Sequence, residues 1–395
     1  MRRLVVATIL CVSRVASAEC DPFAGIAAES AVASDAGDEL WFYGSDGCGA
    51  RAFSTPWNVA VSGGFGALYG HTLSGFDWQH GATVLGRTIA NPVDAVSEYG
   101  WRRWLRNEIV PSRGTQAWNP NYGWHLVGGG MRTYLLKEYF ASQGAQYPTL
   151  YAWLSTYAMH LSNELLQAVK YERYSEDAVA DLFIFDVLGK LVYEIRPVRE
   201  LASGMLHLRD WTFQTQWNPL TDRLLNNGQL FWVRAHVAGP LSVSAVTGEL
   251  VNTVGITWEL SHQRQVSAGV GLKARGFALT DQGDSRALSF QLNAGLYYSV
   301  DDNVYAMLTF DPEDHANTRY VTSRTGSTLP NGDNNVLSSR VMLNLYPGFL
   351  QHGDFRPGIT IAWSSDALFV GLVSNDWPIG LVGSSLLPRK YADDP

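Results

Sequence analysis

Charge is scarce in this chain. Asp, Glu, Lys and Arg make up 17% of its 395 residues, against about 25% in an average soluble domain. Long apolar runs are missing too: beyond the first residues none reaches the roughly 18 needed for a membrane-crossing helix, which excludes a helical inner-membrane anchor. No G-x-S-x-G elbow is present, and no phosphate-loop lysine follows Gly63-Gly64-Phe65-Gly66, which reads as a strand with small side chains. The formal charge of −8 argues against nucleic acid as a partner. Cysteine is limited to three residues.

What is abundant fits together. Aromatics reach 12% and glycines number 38, as in lipid-facing barrels with aromatic girdles. Met1-Arg2-Arg3, the apolar run Leu4 to Val12 and Ala16-Ser17-Ala18 describe a secretory signal peptide cleaved after Ala18. A lipoprotein would need a small residue before Cys20, and Glu19 stands there. Cleavage removes Cys11 and three arginines, leaving a more acidic chain in which Cys20 and Cys48 are expected to form one disulfide.

Three zones follow. Residues 19–56 read as a polar, flexible N-terminal arm. Residues 57–198 are mixed: a strand-like piece from Trp57 to Tyr69, then helices over Pro92 to Leu105, Tyr122 to Phe140, Pro148 to Tyr171, and Ser175 to about Glu194. Pro148 suits a first helical turn, and Ser175 with Glu176 and Asp177 makes a good helix start. Residues 199–373 alternate apolar and polar side chains, which a strand places on opposite faces. The clearest run is Leu288, Phe290, Leu292, Ala294, Leu296, Tyr298 and Val300. Others cover Phe231 to Val237, Val254 to Leu260, Val266 to Ala274, Val304 to Phe310, Leu337 to Tyr346, Pro357 to Ser364 and Leu368 to Val373, with one near Asp210 to Trp217. Asp301-Asp302-Asn303 marks a tight hairpin, and Asp311 to Asn335 a long polar loop. Residues 374–395 read as a C-terminal tail.

The fold class expected is therefore mainly β with a helical insertion: an antiparallel transmembrane β-barrel of about eight to ten strands plus a helical module. A periplasmic β-sandwich or lipocalin-like cup also alternates. It is disfavoured because Arg234, Lys273, Arg275 and Arg340 lie mid-strand on the polar face, while the apolar face is almost free of charge.

Chemistry is sparser. His160 and Glu164 are four apart on one predicted helix. The next helix offers Asp177, Asp181 and Asp186, and His125 opens an earlier one. His160, Glu164 and Asp181 are the candidate catalytic set, as a general-base pair or a carboxylate-rich metal site. The competing reading is a hydrogen-bonded pair tying helices together. A Ser–His site could draw on Ser261-His262, His207 or His236, although Ser261-His262 looks like an ordinary polar turn. His125, Arg234, Glu259, Lys273, Arg275 and Arg340 are candidate lumen or ligand residues, the arginines either lining an anion-selective constriction or pairing with Glu259 in a plugged lumen.

The segment 119–194 resembles an uncharacterised bacterial family of exported proteins carrying a domain of unknown function. The likeness rests on Trp124-His125, Gly128-Gly129, Tyr134, Ser162-Asn163-Glu164, the stretch Ser175 to Asp181, Gly189 and Glu194. Family members show Trp-Glu at Asn163-Glu164 and His-Pro at His125-Leu126. The resemblance implies an exported protein with a helical module ahead of β-strands, and it carries over no established activity.

The expected role is an outer-membrane barrel of structural, narrow-pore or ligand-binding type. Its partners would be the lipid bilayer and a small or lipidic ligand, with no cofactor. The alternatives are an envelope hydrolase or metal-dependent enzyme at the His/Glu/Asp cluster, and a periplasmic location.

Overall fold

The computed structural model describes residues 40–44, 47–68, 72–110, 120–249, 251–261, 263–274, 290–311, 341–350, 355–363 and 367–386. The expected leader, Cys20, His262, Arg275 and Arg340 lie outside them, so the Cys20–Cys48 pairing does too.

The N-terminal half is helical: α1 (Pro56–Gly64), α2 (Trp78–Ala90), α3 (Pro92–Tyr99), α4 (Trp101–Trp104), α5 (Gly130–Ser142), α6 (Pro148–Gln167), α7 (Glu176–Ala180), α8 (Asp186–Tyr193) and α9 (Arg196–Arg199). Caps explain several starts: Thr55, Asp77 and Ser175 each accept a backbone N–H three residues on. Wider π-helical turns occupy Leu105–Ile109, Pro120–Gly129, Asp181–Phe185 and Glu200–Met205. No helix among the described residues is long and apolar enough to cross a membrane.

The N-terminal half departs from two expectations. The Trp57 to Tyr69 piece is not a strand; its first part is α1. Trp57, Val61 and Phe65 are also spaced four apart, and the Thr55 cap with Pro56 in the first turn decides for helix. The stretch read as a flexible arm is packed in its described part. The Glu138 carboxylate accepts the backbone N–H groups of Trp41, Phe42 and Tyr43 at 2.7–2.9 Å. Phe53 meets Phe213 and Tyr346, with ring centroids 5.4 and 6.1 Å apart. Buried Phe42, Ala50 and Phe53 supply the apolar contacts that hold it.

The C-terminal half is one thirteen-stranded, mostly antiparallel sheet. Its strands are β1 (Arg209–Asp210), β2 (Gln216–Asn218), β3 (Arg223–Leu225), β4 (Leu230–Ala238), β5 (Leu241–Gly248), β6 (Val251–Ser261), β7 (Arg264–Ala274), β8 (Phe290–Val300), β9 (Asn303–Phe310), β10 (Val341–Leu345), β11 (Pro357–Trp363), β12 (Ala367–Ser374) and β13 (Gly380–Leu386). β4 to β13 pair in sequence order as a meander of ten. The register in its middle is regular, with Val254↔Val270 and Val270↔Ala294.

The stretch 209–218 reaches both ends of that meander. Its start pairs with β4, Arg209↔Trp232 and Asp210↔Phe231, and its end pairs in parallel with β13, Gln216↔Gly380 and Leu381↔Trp217. Between them, Gln214 exchanges side-chain hydrogen bonds with the Ser374 backbone. β5 and β13 were not legible in the sequence. β5 carries mostly small residues, and β13, Gly-Leu-Val-Gly-Ser-Ser-Leu, lies inside the segment read as a tail.

The sheet is inverted relative to a soluble one. Along β6, Val254 is 66% and Ile256 54% exposed, while Thr253 and Thr257 between them are 3% and 2% exposed. The same sense holds for exposed Val243, Val270, Leu272, Leu292, Leu296, Ile361, Val370 and Leu381, against buried Ser242, Ser244, Ser267, Asn293, Asn344 and Thr360. Large side chains cluster against the sheet. Trp211 stacks on Trp232 at 4.6 Å and lies with Phe213, Tyr297, Tyr346 and Phe53 in one buried cluster. Leu225 packs with Met342, Ala362, Phe369 and Val382 in another.

Candidate functional site

The helical module brings the predicted residues together. His125 sits in the π-helical stretch Pro120–Gly129, His160 and Glu164 one turn apart on α6, and Asp181 and Asp186 at the two ends of a π turn. In an α-helix, residues five apart point in different directions. The i→i+5 bonding of a π turn turns them to one side, so Asp181 and Asp186 both reach His125. Its Nε2 stands 3.3 Å from Asp181 Oδ2 and its Nδ1 3.0 Å from Asp186 Oδ1. His160 Nδ1 is 3.2 Å from the same Asp186 oxygen, and the two imidazole centroids are 4.3 Å apart. All five side chains are buried. Two metal-sized donor groups result: His125, His160 and Asp186, and His125, Glu164 and Asp181.

Glycine makes the approach possible. A Cβ on Gly129 would fall 2.8 Å from His160 Nε2. One on Gly189 would fall 2.6 Å from the Leu126 carbonyl oxygen, and one on Gly130 would fall 2.6 Å from that of Gly189. These backbone contacts cannot rotate away. Gly189→Ala is therefore expected to push α8 off the His125 stretch and to cost about 1–3 kcal/mol. Urea unfolding, followed by tryptophan fluorescence, checks it; an unchanged midpoint would contradict the close approach.

Burial without full pairing dominates the electrostatics. Burial and the Asp177 charge push the Glu164 carboxyl up to about 7, and both its oxygens lack a hydrogen-bond partner. Burial, with Glu164 and Asp177 close by, holds Asp181 well above the usual carboxylate range, and burial also raises Asp186. His160 is driven well below an ordinary histidine by burial and by the charges of His125, Lys190 and Arg132. For His125 burial pulls down, but the Asp186 bond and the Glu164 and Asp177 charges outweigh it, so it is raised.

These shifts fix a sign. Glu164, Asp181 and Asp186 keep protons in the folded chain that they release when unfolded, so the stability they contribute falls as pH rises, for Glu164 through about 4.5 to 7. His125 acts in the same sense. His160 opposes them, since it resists protonation only when folded. Three carboxyls and His125 against one imidazole leave the module, free of metal, less stable at pH 7 than at pH 5. Urea midpoints at the two pH values check this, and a higher midpoint at pH 7 would contradict it.

The remaining candidates separate. Arg234 does not pair with Glu259: its Nε donates to Asp302 Oδ1 at 2.9 Å. Asp302 lies in a hairpin turn and outcompetes Glu259, which is exposed near the end of β6. Around Asp302 also gather His207 Nδ1 at 2.7 Å, Gln265 Nε2 at 2.9 Å and Arg209 at 3.9 Å. Arg234, Glu259, His207 and Asp302 line an open cavity of about 410 Å³. Lys273 Nζ donates to Asp311 at 2.6 Å, and Asn293 to the same carboxylate. His236 is exposed, and His207 is engaged by Asp302. Sequence reading missed Asp302 as a hub, because it stood out only as a turn residue, and it missed Asp186 as the shared carboxylate.

Comparison with family models, with curated proteins and with solved structures finds no match to this chain.

Proposed function

We propose that this chain is an outer-membrane β-barrel protein with a filled interior, of structural or ligand-binding rather than channel type. The observation that carries the reading is the inversion of the sheet, with Val254 and Ile256 outside and Thr253 and Thr257 inside. In water such a sheet would bury hydroxyls and amides and expose aliphatic chains. In a bilayer the same arrangement puts apolar groups in hydrocarbon. The stretch 209–218, bonded to β4 and to β13, is the seam that closes the meander. Closure satisfies backbone groups that an open edge would leave bare in lipid. The aromatic cluster around Trp211 and Trp232 and the ion pairs of Asp302 and Asp311 fill the interior and favour a plugged lumen over a pore.

The chain is expected to need detergent or lipid to stay dispersed and to give no steady conductance in a planar bilayer. A folded, monomeric protein in plain buffer would sink the membrane reading. A stable open current would sink the plugged one.

A second reading has its own support. Convergence of His125 with Asp181 and Asp186 favours an envelope enzyme working at the helical module. In that reading His125 exchanges protons between two carboxyls. Alanine at His125 would then abolish turnover while the sheet stays folded.

A further inference from the structure

We propose that His125, Glu164 and Asp181 bind a single divalent first-row transition-metal ion, with Asp186 orienting the histidines from behind. The inference concerns the helical module and does not depend on whether the sheet lies in a membrane.

Three independent observations carry it. First, the geometry of the donors suits an ion. Ligands about 2.0–2.2 Å from a common ion stand about 3.0–3.5 Å apart at tetrahedral or octahedral angles. His125 Nε2 and Asp181 Oδ2 stand at 3.3 Å, and one oxygen of Glu164 lies in the same group within 4.8 Å. Second, Asp186 Oδ1 lies 3.0 Å from His125 Nδ1. A carboxylate there accepts a hydrogen bond from Nδ1–H and leaves the Nε2 lone pair facing the other two carboxyls. That is the carboxylate–histidine–metal arrangement, in which the outer acid fixes the tautomer and raises the basicity of the ring. Third, both Glu164 oxygens and Asp181 Oδ1 are fully buried with no hydrogen-bond partner. A buried polar group left this way costs about 1–3 kcal/mol. An ion between them would supply the missing partner.

Charge agrees with geometry. Glu164, Asp177, Asp181 and Asp186 are all buried in this part of the module. Lys170 stands 3.6 Å from Asp177, and Lys190 lies over the Trp153 and Tyr157 rings at 5.7 and 5.1 Å. Cations thus serve Asp177 and the Asp186 side, and none of the described residues forms an ion pair with Glu164. One nitrogen with two carboxylates is a donor set for manganese, iron, cobalt or zinc in the divalent state, and a poor one for soft cuprous ion.

The test uses the full chain, folded and stripped of metal, titrated with cobalt(II) at pH 7.5 and then with zinc(II). One cobalt per chain, with a visible ligand-field band that zinc abolishes, is the expected result. Glu164→Gln and Asp181→Asn, which keep size and shape, should each weaken binding by about tenfold or more. Asp186→Asn, acting through His125, should weaken it by about 10–100-fold. No band and no bound ion in a wild-type chain shown to be folded by circular dichroism would overturn the proposal. So would retention of wild-type affinity in folded Glu164→Gln. If a variant fails to fold, the wild-type titration alone still decides. Since the readout is ion stoichiometry, its failure is distinct from loss of detergent dependence or of any turnover.

Discussion

Arginine in place of Val254 is expected to destabilise the folded chain in a bilayer by about 2–4 kcal/mol, the cost of that side chain on a lipid face near the midplane. Val254 lies in the middle of β6, opposite Ala245 on β5 and Val270 on β7, and is 66% exposed. The size of the effect discriminates between environments. At an equally exposed position in water, a surface substitution changes stability by about 0.5 kcal/mol or less. Val254→Thr serves as the control, since it changes polarity with little change in shape. Urea titration of the lipid-reconstituted protein reads the difference. An arginine as harmless as the threonine would place the apolar face in water.

The second large effect belongs to Asp302. Its carboxylate is held by His207, Arg234 and Gln265, with Arg209 at 3.9 Å. Burial would raise this acid, but the His207 bond and the Arg209 and Arg234 charges overcome burial and lower it below the usual carboxylate range. Asp302→Ala removes the one anion these cations share and should cost about 3–5 kcal/mol. Asp302 also has φ of +58° and Asp301 +50°, a left-handed pair that aspartate and asparagine tolerate. Asp302→Asn keeps the turn and loses only the charge. It should therefore fall between wild type and alanine, which assigns most of the loss to unpaired cations rather than to the backbone. Because the folded acid is depressed, its contribution is present above about pH 4 and is lost as pH falls further. Equal midpoints for wild type and Asp302→Ala at neutral pH would refute the hub.

Much of this architecture was legible in period-two patterning. β4, β6 to β9, and β10 to β12 all fall on segments that alternate, because each strand has large aliphatic or aromatic residues on its outer face. β5 and β13 escaped because serine, glycine and alanine blur the contrast between faces. α1 was misread because Trp57, Val61 and Phe65 fit both periods over so short a span, and the Thr55 cap with Pro56 in the first turn separates them.

The candidate site was legible by residue type and not by geometry. His160 and Glu164 share a face by simple helical spacing. The meeting of Asp181 with Asp186 depends on a π turn, which has no reliable sequence signal. No packing role for Gly130 and Gly189 was legible in the sequence, yet they set how closely α5 and α8 pass. The Asp302 hub was hidden for a similar reason. A turn aspartate looks the same in sequence whether its carboxylate meets water or, as here, His207, Arg209, Arg234 and Gln265.

A membrane barrel requires the Val254 face of the sheet to meet hydrocarbon. Nitroxide labels placed one at a time at residues 253 to 258 of β6, in the lipid-reconstituted protein, read this directly by collision with oxygen and with a water-soluble nickel chelate. High oxygen and low nickel accessibility at 254, 256 and 258, alternating with low values for both at 253 and 257, is the predicted pattern. Nickel accessibility at 254, 256 and 258 would mean that these side chains face water, and the membrane reading would fall.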